Sequence, residues 1–199
     1  MAVTLVNCYA AVSDLKDVKE IKTTNPPQDS VLADYITAAS RWIDNYTGRT
    51  FYARTETHYF DVPKTPRNLR LDDDLLTLTT LTNGDGTVIA SSNYKLWPYN
   101  TSPKHEIQIL RSANIYWLLS GGIDWEAAIS VAGTWGYTST TPAPIKSACI
   151  DIAVNAYGRR HGENTSGIAR VTSAGVVLTP RDIPDGVKTF LNDYIRAIL

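Results

Sequence analysis

The stretch from Asp29 to Tyr52, DSVLADYITAASRWIDNYTGRTFY, constrains the fold more than any other part of the chain. Leu32, Tyr35, Ile36, Ala39, Ile43 and Tyr46 recur at helical spacing and form one apolar stripe. Asp34, Arg41, Asp44 and Asn45 lie mostly off that stripe. Asp29 and Ser30 can cap the N–H groups of a helix start. Gly48 stands just past the last periodic residue, where a left-handed C-cap is wanted. Thr50, Phe51 and Tyr52 then switch the chain to strand-type residues. The fold must therefore accept an amphipathic helix that stops at a glycine and feeds straight into a strand. Nothing in the stretch carries catalytic chemistry.

A chain of 199 residues can hold one large domain or two small ones, and a hydrophobic fraction of 43% supplies a core. The net charge of -1 gives no global basic field toward nucleic acid. From Asp151 onward six Lys and Arg stand against five Asp and Glu, so no basic block for phosphates is present either. The two cysteines are far apart, and Cys149 falls on the apolar face of an expected helix, which favours a buried free thiol over a crosslink. This usage suits folding in a cytoplasm. Residues 1–12 lack the pattern of a signal peptide, and no apolar run of about 18 residues predicts a membrane span.

The rest of the chain changes character twice. Ser13 to Lys22 predicts a short first helix with Ser13 as cap, and Asn25-Pro26-Pro27 breaks it. Between Thr50 and Tyr137 the chain is rich in Thr, Val, Ile, Tyr and Trp, and its strand candidates are 50–60, 75–81, 87–90, 94–97, 107–110 and 127–137. Asn83-Gly84-Asp85-Gly86 is a hairpin turn signal. Ile115 to Leu119 reads equally as a strand or a helical turn, ended by Gly121-Gly122. This block predicts a small antiparallel β-sandwich or barrel. Helices then return. Pro142 and Pro144 suit a first helical turn, and Ile145, Ala148, Cys149, Ile152, Ala153, Ala156 and Tyr157 follow at clean helical spacing up to Gly162. Residues 162–179 are rich in Gly, Ser and Thr and predict a mobile loop or arm. Pro184 to Leu199 predicts a last helix, capped by Asp182, with Val187, Leu191, Tyr194, Ile195 and Ile198 on one face and Phe190 at its edge.

Candidate chemistry is thin. His58, His105 and His161 share no ligand spacing with one another or with the cysteines, and a zinc site needs three or four converging ligands. The Asp72-Asp73-Asp74 run lacks the glycine and terminal glutamate of a calcium loop and reads as a solvated turn. No nucleophile elbow, phosphate loop or dinucleotide fingerprint is present. Five tryptophans and eleven tyrosines suit sugar stacking as well as core or interface packing. Arg159 and Arg160 can touch DNA phosphates, form inter-subunit ion pairs, or complement the negative end of their own helix.

Three segments together resemble the phage head-tail connector (adaptor, or head completion) family. They are RWIDNYTGRTFY with the following ARTETHYFD, VAGTWGY running through Pro142–Pro144 into the helix from Ile145, and PDGVKTFLNDYIR. The likeness spans roughly residues 13–199, and it rests on the order and spacing of motifs that encode fold rather than chemistry. It departs in the β block, because minimal adaptors are almost purely helical.

The resemblance implies an α+β protein. A bundle of about four helices, from 1–49 and 142–199, would carry a β domain at 50–141 inserted between the second and third helix. It implies a structural protein without enzymatic activity, cofactor or metal. Such a protein is made in the host bacterial cytoplasm and sits at the neck of the virion. About twelve copies would form a ring on the portal. The ring would dock a further neck or tail protein (stopper or tail terminator) and let double-stranded DNA pass. Phe190, Leu191, Tyr194 and Ile198 are then expected to contact the portal or a neighbouring subunit, with Arg159 and Arg160 at the DNA channel or between subunits. The alternative is an aromatic-rich β module that binds glycans or another surface protein.

Overall fold

The computed structural model describes residues 5–19, 26–160, 171–172, 175–176 and 183–196. The chain divides into two compact units, one formed by Met1–Phe51 with Thr141–Leu199 and the other by Tyr52–Thr140. Among the described residues the fold is α+β, with four helices and a five-stranded antiparallel sheet.

The first unit contains α1 (Val12–Val18), α2 (Pro26–Thr47), α3 (Ala143–Arg160) and α4 (Asp185–Leu191). A two-residue strand pair, β6 (Val171–Thr172) with β7 (Gly175–Val176), falls between α3 and α4 in the chain. The apolar stripe of α2 packs on that of α3, and Leu32, Ile36, Ala39, Ile43, Ile145, Cys149, Ile152 and Ala156 are all fully buried. Small side chains set the spacing. Ser40 Oγ lies 3.5 Å from Cys149 Sγ and is held by donating to Ile36 O at 2.8 Å. Tyr35 and Tyr157 meet edge to face at 5.7 Å. Lys16 bridges α1 to Asp29 of α2 at 2.5 Å, and Lys146 of α3 reaches Asp14 at 2.8 Å.

Three boundaries differ from those the sequence predicts. Pro26 and Pro27 open α2 rather than only breaking its predecessor, because the first helical turn has no N–H partner to lose. Asp29 consequently sits in the first turn and pairs with Lys16 instead of capping. In α1 the cap is Ala11, whose N–H donates to Asp14 Oδ2 at 2.8 Å, so Ser13 lies inside the helix. The last helix also stops early. It tightens into a 3-10 turn at Asn192–Tyr194, and Ile195 is already extended. Asn192 and Asp193 are weak helix formers that compete for backbone hydrogen bonds. Asp182, Gly162 and most of 162–179 fall outside the described residues.

The second unit is built on β1 (Arg54–Phe60), β2 (Asn68–Thr82), β3 (Tyr94–Trp97), β4 (Lys104–Ile109) and β5 (Ile129–Trp135). In place of the expected sandwich or barrel, they form one open sheet in the order β1-β5-β2-β4-β3. The cause is β2. Its first residues pair with β4 (Leu69 with Ile107) and its last with β5 (Leu81 with Val131), with register shifts between. One long, irregular strand thus serves both halves of the sheet. Leu69, Leu71, Leu75, Leu81, Ile107, Ile109, Ile129, Val131 and Trp135 make its core.

The expected turn at Asn83–Gly86 is present, closed by Asn83 N–H to Thr87 O at 2.8 Å. The candidate strand at 87–90 reduces to a single bridge, Thr82 with Val88. Residues 115–119 are neither strand nor helix.

The Asp72–Asp74 run is not a solvated turn. It lies within β2, where Asp73 pairs with Arg54, Asp72 Oδ1 meets His58 Nδ1 at 2.9 Å, and Asp74 is fully buried 3.4 Å from His105 Nδ1.

Gly133 marks the tightest contact of the sheet. A Cβ there would lie 2.3 Å from Thr77 O and 3.0 Å from Leu75 Cδ1. Thr77 O is backbone inside the β2–β5 ladder, so it cannot retreat without breaking pairing. Gly133→Ala is expected to destabilise the protein by about 2–3 kcal/mol or more, measured by urea unfolding. A stability within about 0.5 kcal/mol of wild type would contradict this packing.

Candidate partner interface

The helical unit gathers its chain ends around the C-terminus of α2. Helix ends leave carbonyls without intrahelical partners. Gly48 takes φ +64° and its N–H bonds to Asp44 O at 2.8 Å, as the sequence pattern requires. The next orphan carbonyl, Thr47 O, accepts from Arg196 N–H at 2.8 Å. Tyr46 Oη donates to Asn192 Oδ1 at 2.7 Å. The last described residues therefore complete the cap of the second helix.

The start of the chain reaches the same place. Tyr9 Oη donates to Asp44 Oδ1 and accepts from Phe51 N–H at 2.9 Å. Tyr9 N–H donates to Ser40 Oγ at 3.1 Å. Arg41 holds Asp44 at 3.1 Å and also donates to Asn7 O. A run of rings follows, with Tyr9 edge-on to Phe51 at 5.8 Å, Phe51 edge-on to Tyr194 at 5.7 Å, and Tyr194 on Phe190 at 5.2 Å. Its inner end is buried and its outer end, Tyr194 and Phe190, is half-exposed. Ile195 beside it is 46% exposed.

Phe190 also lines an open cleft of about 390 Å³ with Pro144, Ser147, Ala148, Asp151, Pro184, Gly186 and Val187. The lining is mostly apolar, and burial raises the Asp151 carboxyl above its ordinary value. An apolar partner segment would gain area here at little polar cost.

The candidate residues thus separate. Phe190 and Tyr194 share the half-exposed end of the aromatic run. Leu191 has no exposed surface and belongs to the core of the unit. Ile198 lies outside the described residues. Arg159 is half-buried, and Arg160 closes α3 with its side chain outside the description. At 1.5 Å rise per residue, Arg159 lies roughly 18 Å along α3 from the cleft residue Ser147, so the two candidate groups mark opposite ends of that helix.

Sequence reasoning gave no role to residues 5–11, because a single Tyr in an aperiodic segment carries no local signal. Among the described residues no three His, Cys, Asp or Glu converge as a metal site would require. Of the tryptophans, Trp135 and Trp117 are core, Trp42 stacks on Tyr46 at 4.8 Å, and Trp97 and Trp125 are exposed.

Two buried groups must stay protonated for this core to hold. Burial pushes the Cys149 thiol up from 9.0 to about 11. Burial, reinforced by the hydrogen bond to Asp44, drives the Tyr9 phenol well above its ordinary value. A raised folded pKa contributes stability that is complete below the unfolded value and lost as pH climbs toward the folded one. The melting temperature should therefore fall from pH 9 upward, and for Cys149 the fall should extend to about 11. Cys149→Ala should flatten that fall. Tyr9→Phe should cost about 1–3 kcal/mol in urea unfolding, because Phe51 N–H loses its acceptor.

No family model matches the sequence, and no curated protein matches it. Solved structures do share the fold. A chain in the neck of an empty gene transfer agent particle, computed with C6 symmetry, is 17% identical with a TM-score of 0.63, over 99% of this chain and 94% of that one. A chain in the virion of the native gene transfer agent gives the same 17%, 0.63, 99% and 94%. A chain in the native neck computed with C12 symmetry is 16% identical with a TM-score of 0.58, over 94% and 89%. At these identities the likeness is one of fold, and it runs across nearly the whole chain.

Proposed function

We propose that this chain is a structural head-tail connector, or adaptor, of a tailed phage or phage-like particle. The observation that carries the reading is the extent of the shared fold. It covers 99% of this chain against a chain from a gene transfer agent neck, rather than one unit alone. In this reading the unit 52–140 is a β insertion in a helical bundle. The protein sits at the virion neck as a ring of about twelve copies on the portal. The C6 and C12 symmetries of the necks that hold its structural neighbours support a cyclic assembly. The portal, a second copy, and a stopper or tail terminator are its partners. DNA passes through the ring, and a net charge of -1 suits a conduit that must not grip phosphates.

The portal-facing surface is the end of the helical unit that carries Phe190, Tyr194 and the adjoining cleft. Half-exposed aromatics at the rim of an apolar cleft are what a docking segment buries. Arg159 and Arg160, at the far end of α3, serve contacts between subunits or with passing DNA. The glycan-binding alternative rests on the exposed Trp97 and Trp125 alone among the sheet unit's tryptophans, since Trp135 and Trp117 are core residues.

Capsids that bear a portal but lack this protein provide the test. Wild-type protein should sediment with them, and removal of residues 184–199 should abolish this. That deletion also removes the core residues Val187 and Leu191, so Phe190→Asp is the cleaner variant. It should weaken docking on the order of tenfold or more while leaving the melting temperature close to wild type. Undiminished docking of both variants would overturn the reading.

A further inference from the structure

The sheet unit carries an ordered loop whose apolar side chains point the wrong way for a core. Beneath the loop, Trp117 is 7% exposed and Ile115 packs on the sheet core. Buried Asn83 holds it at two points, donating from Nδ2 to Tyr116 O at 2.9 Å and accepting at Oδ1 from Leu118 N–H at 2.9 Å. Gly84 permits this approach, since a Cβ there would lie 1.9 Å from Leu118 O. The tip closes through Ser120 N–H to Asp124 O at 2.7 Å, with Gly121 and Gly122 at φ +57° and +78°. The exit is fixed by Val62 N–H to Trp125 O and Ala127 N–H to Asp61 Oδ1, both 2.9 Å. On this fixed backbone Tyr116, Leu118, Leu119, Ile123 and Trp125 are 38–79% exposed. A rigid, contiguous apolar patch of this kind marks an interaction surface.

A second patch lies at the other end of β4. The strand begins at Lys104, beside the turn that carries Tyr99, and ends at Ile109, whose N–H donates to Arg67 O at 2.9 Å, with the Arg67 guanidinium 5.5 Å from the Tyr116 ring of the loop. Tyr99 is 59% exposed and Trp97 42%, with exposed Lys95 two residues before Trp97 on the edge strand β3. Lys104 Nζ stiffens the turn by donating to the carbonyls of Pro98, Tyr99 and Thr101 at 2.6, 3.2 and 2.7 Å. Around the first patch the exposed charges are Asp124 and Glu126, with half-buried Arg67 5.5 Å over the Tyr116 ring; around the second the exposed charge is Lys95, with half-buried Glu106 opposite Trp97. Both are thus apolar, and their exposed charges are opposite in sign, at opposite ends of one strand. A different patch at each end is what head-to-tail association requires.

We propose that the loop 116–125 of one copy docks on the Lys95–Trp97–Tyr99 surface of the next, forming the lateral contact of the assembly. This rests on the ring reading above and names the surfaces that would close it.

Cross-linking with a short bis-maleimide in a Cys8→Ser background tests it, because Cys149 is buried. Ile123→Cys and Tyr99→Cys full-length proteins, mixed and docked on portal-bearing capsids, should give a cross-linked dimer that neither variant gives alone. Ile123→Asp should raise the concentration needed for self-association on the order of tenfold. Lys95→Glu should do the same in direction and be rescued by Asp124→Lys. A dimer from Ile123→Cys alone would mean a self-complementary contact and would overturn the proposal. So would docked copies that give no cross-link, an outcome that leaves the connector reading standing. Failure of the wild-type protein to dock would remove the connector reading and this proposal together.

Discussion

The C-terminal end of α2 is the constraint on which the helical unit depends. A helix that stops at Gly48 leaves carbonyls to be satisfied, and the chain supplies their partner from a distance of almost 150 residues. Arg196 N–H closes on Thr47 O, and Tyr46 meets Asn192. Tyr9 ties the opposite end of the chain to the same point through Asp44 and Phe51. Because Asn192 and Arg196 flank Tyr194 in the chain and Tyr9 begins the aromatic run, the surface that carries Phe190 and Tyr194 is held by the same bonds that end the helix. A partner bound there would feel the integrity of the whole unit.

The sheet unit solves a different problem with the same economy. The length of β2 lets one strand pair with β4 and then with β5, and Gly133 lets β5 approach it closely. The sheet then needs only one face for its core, with Trp135 donating from Nε1 to Glu56 O at 3.1 Å and His58 stacked on its ring at 3.9 Å. Acidic residues fit inside β2 because Arg54, His58 and His105 face them from other strands. With Trp117 filling the core beneath the loop, Tyr116, Leu118, Leu119, Ile123 and Trp125 have no interior position to fill.

The parts legible in the sequence were those set by local physics. The stripes of α2 and α3, the glycine stop at Gly48 and the strand at 94–97 depend on periodicity and punctuation within a few residues. The start of α2 was misread because a proline pair signals a break and an opening equally well. The acidic run was misread because its partners, Arg54, His58 and His105, arrive from strands 14 to 31 positions away in the chain. At the candidate site, periodicity marked Phe190 and Tyr194 but could not separate them from Leu191. In a helix of seven residues, neighbouring side chains differ in burial only through what packs on them. The loop 116–125 was the hardest to read, since an apolar run ordinarily means burial and only the finished fold shows that Trp117 alone among its large apolar side chains goes inside.

The central proposal is that the chain acts as a ring-forming component of a virion neck. Electron microscopy of portal-bearing capsids incubated with the purified protein tests it most directly. The account predicts added density confined to the portal vertex, with cyclic symmetry and about twelve copies around the channel axis. Density spread over the capsid surface, or a bare portal vertex at saturating protein, would contradict it.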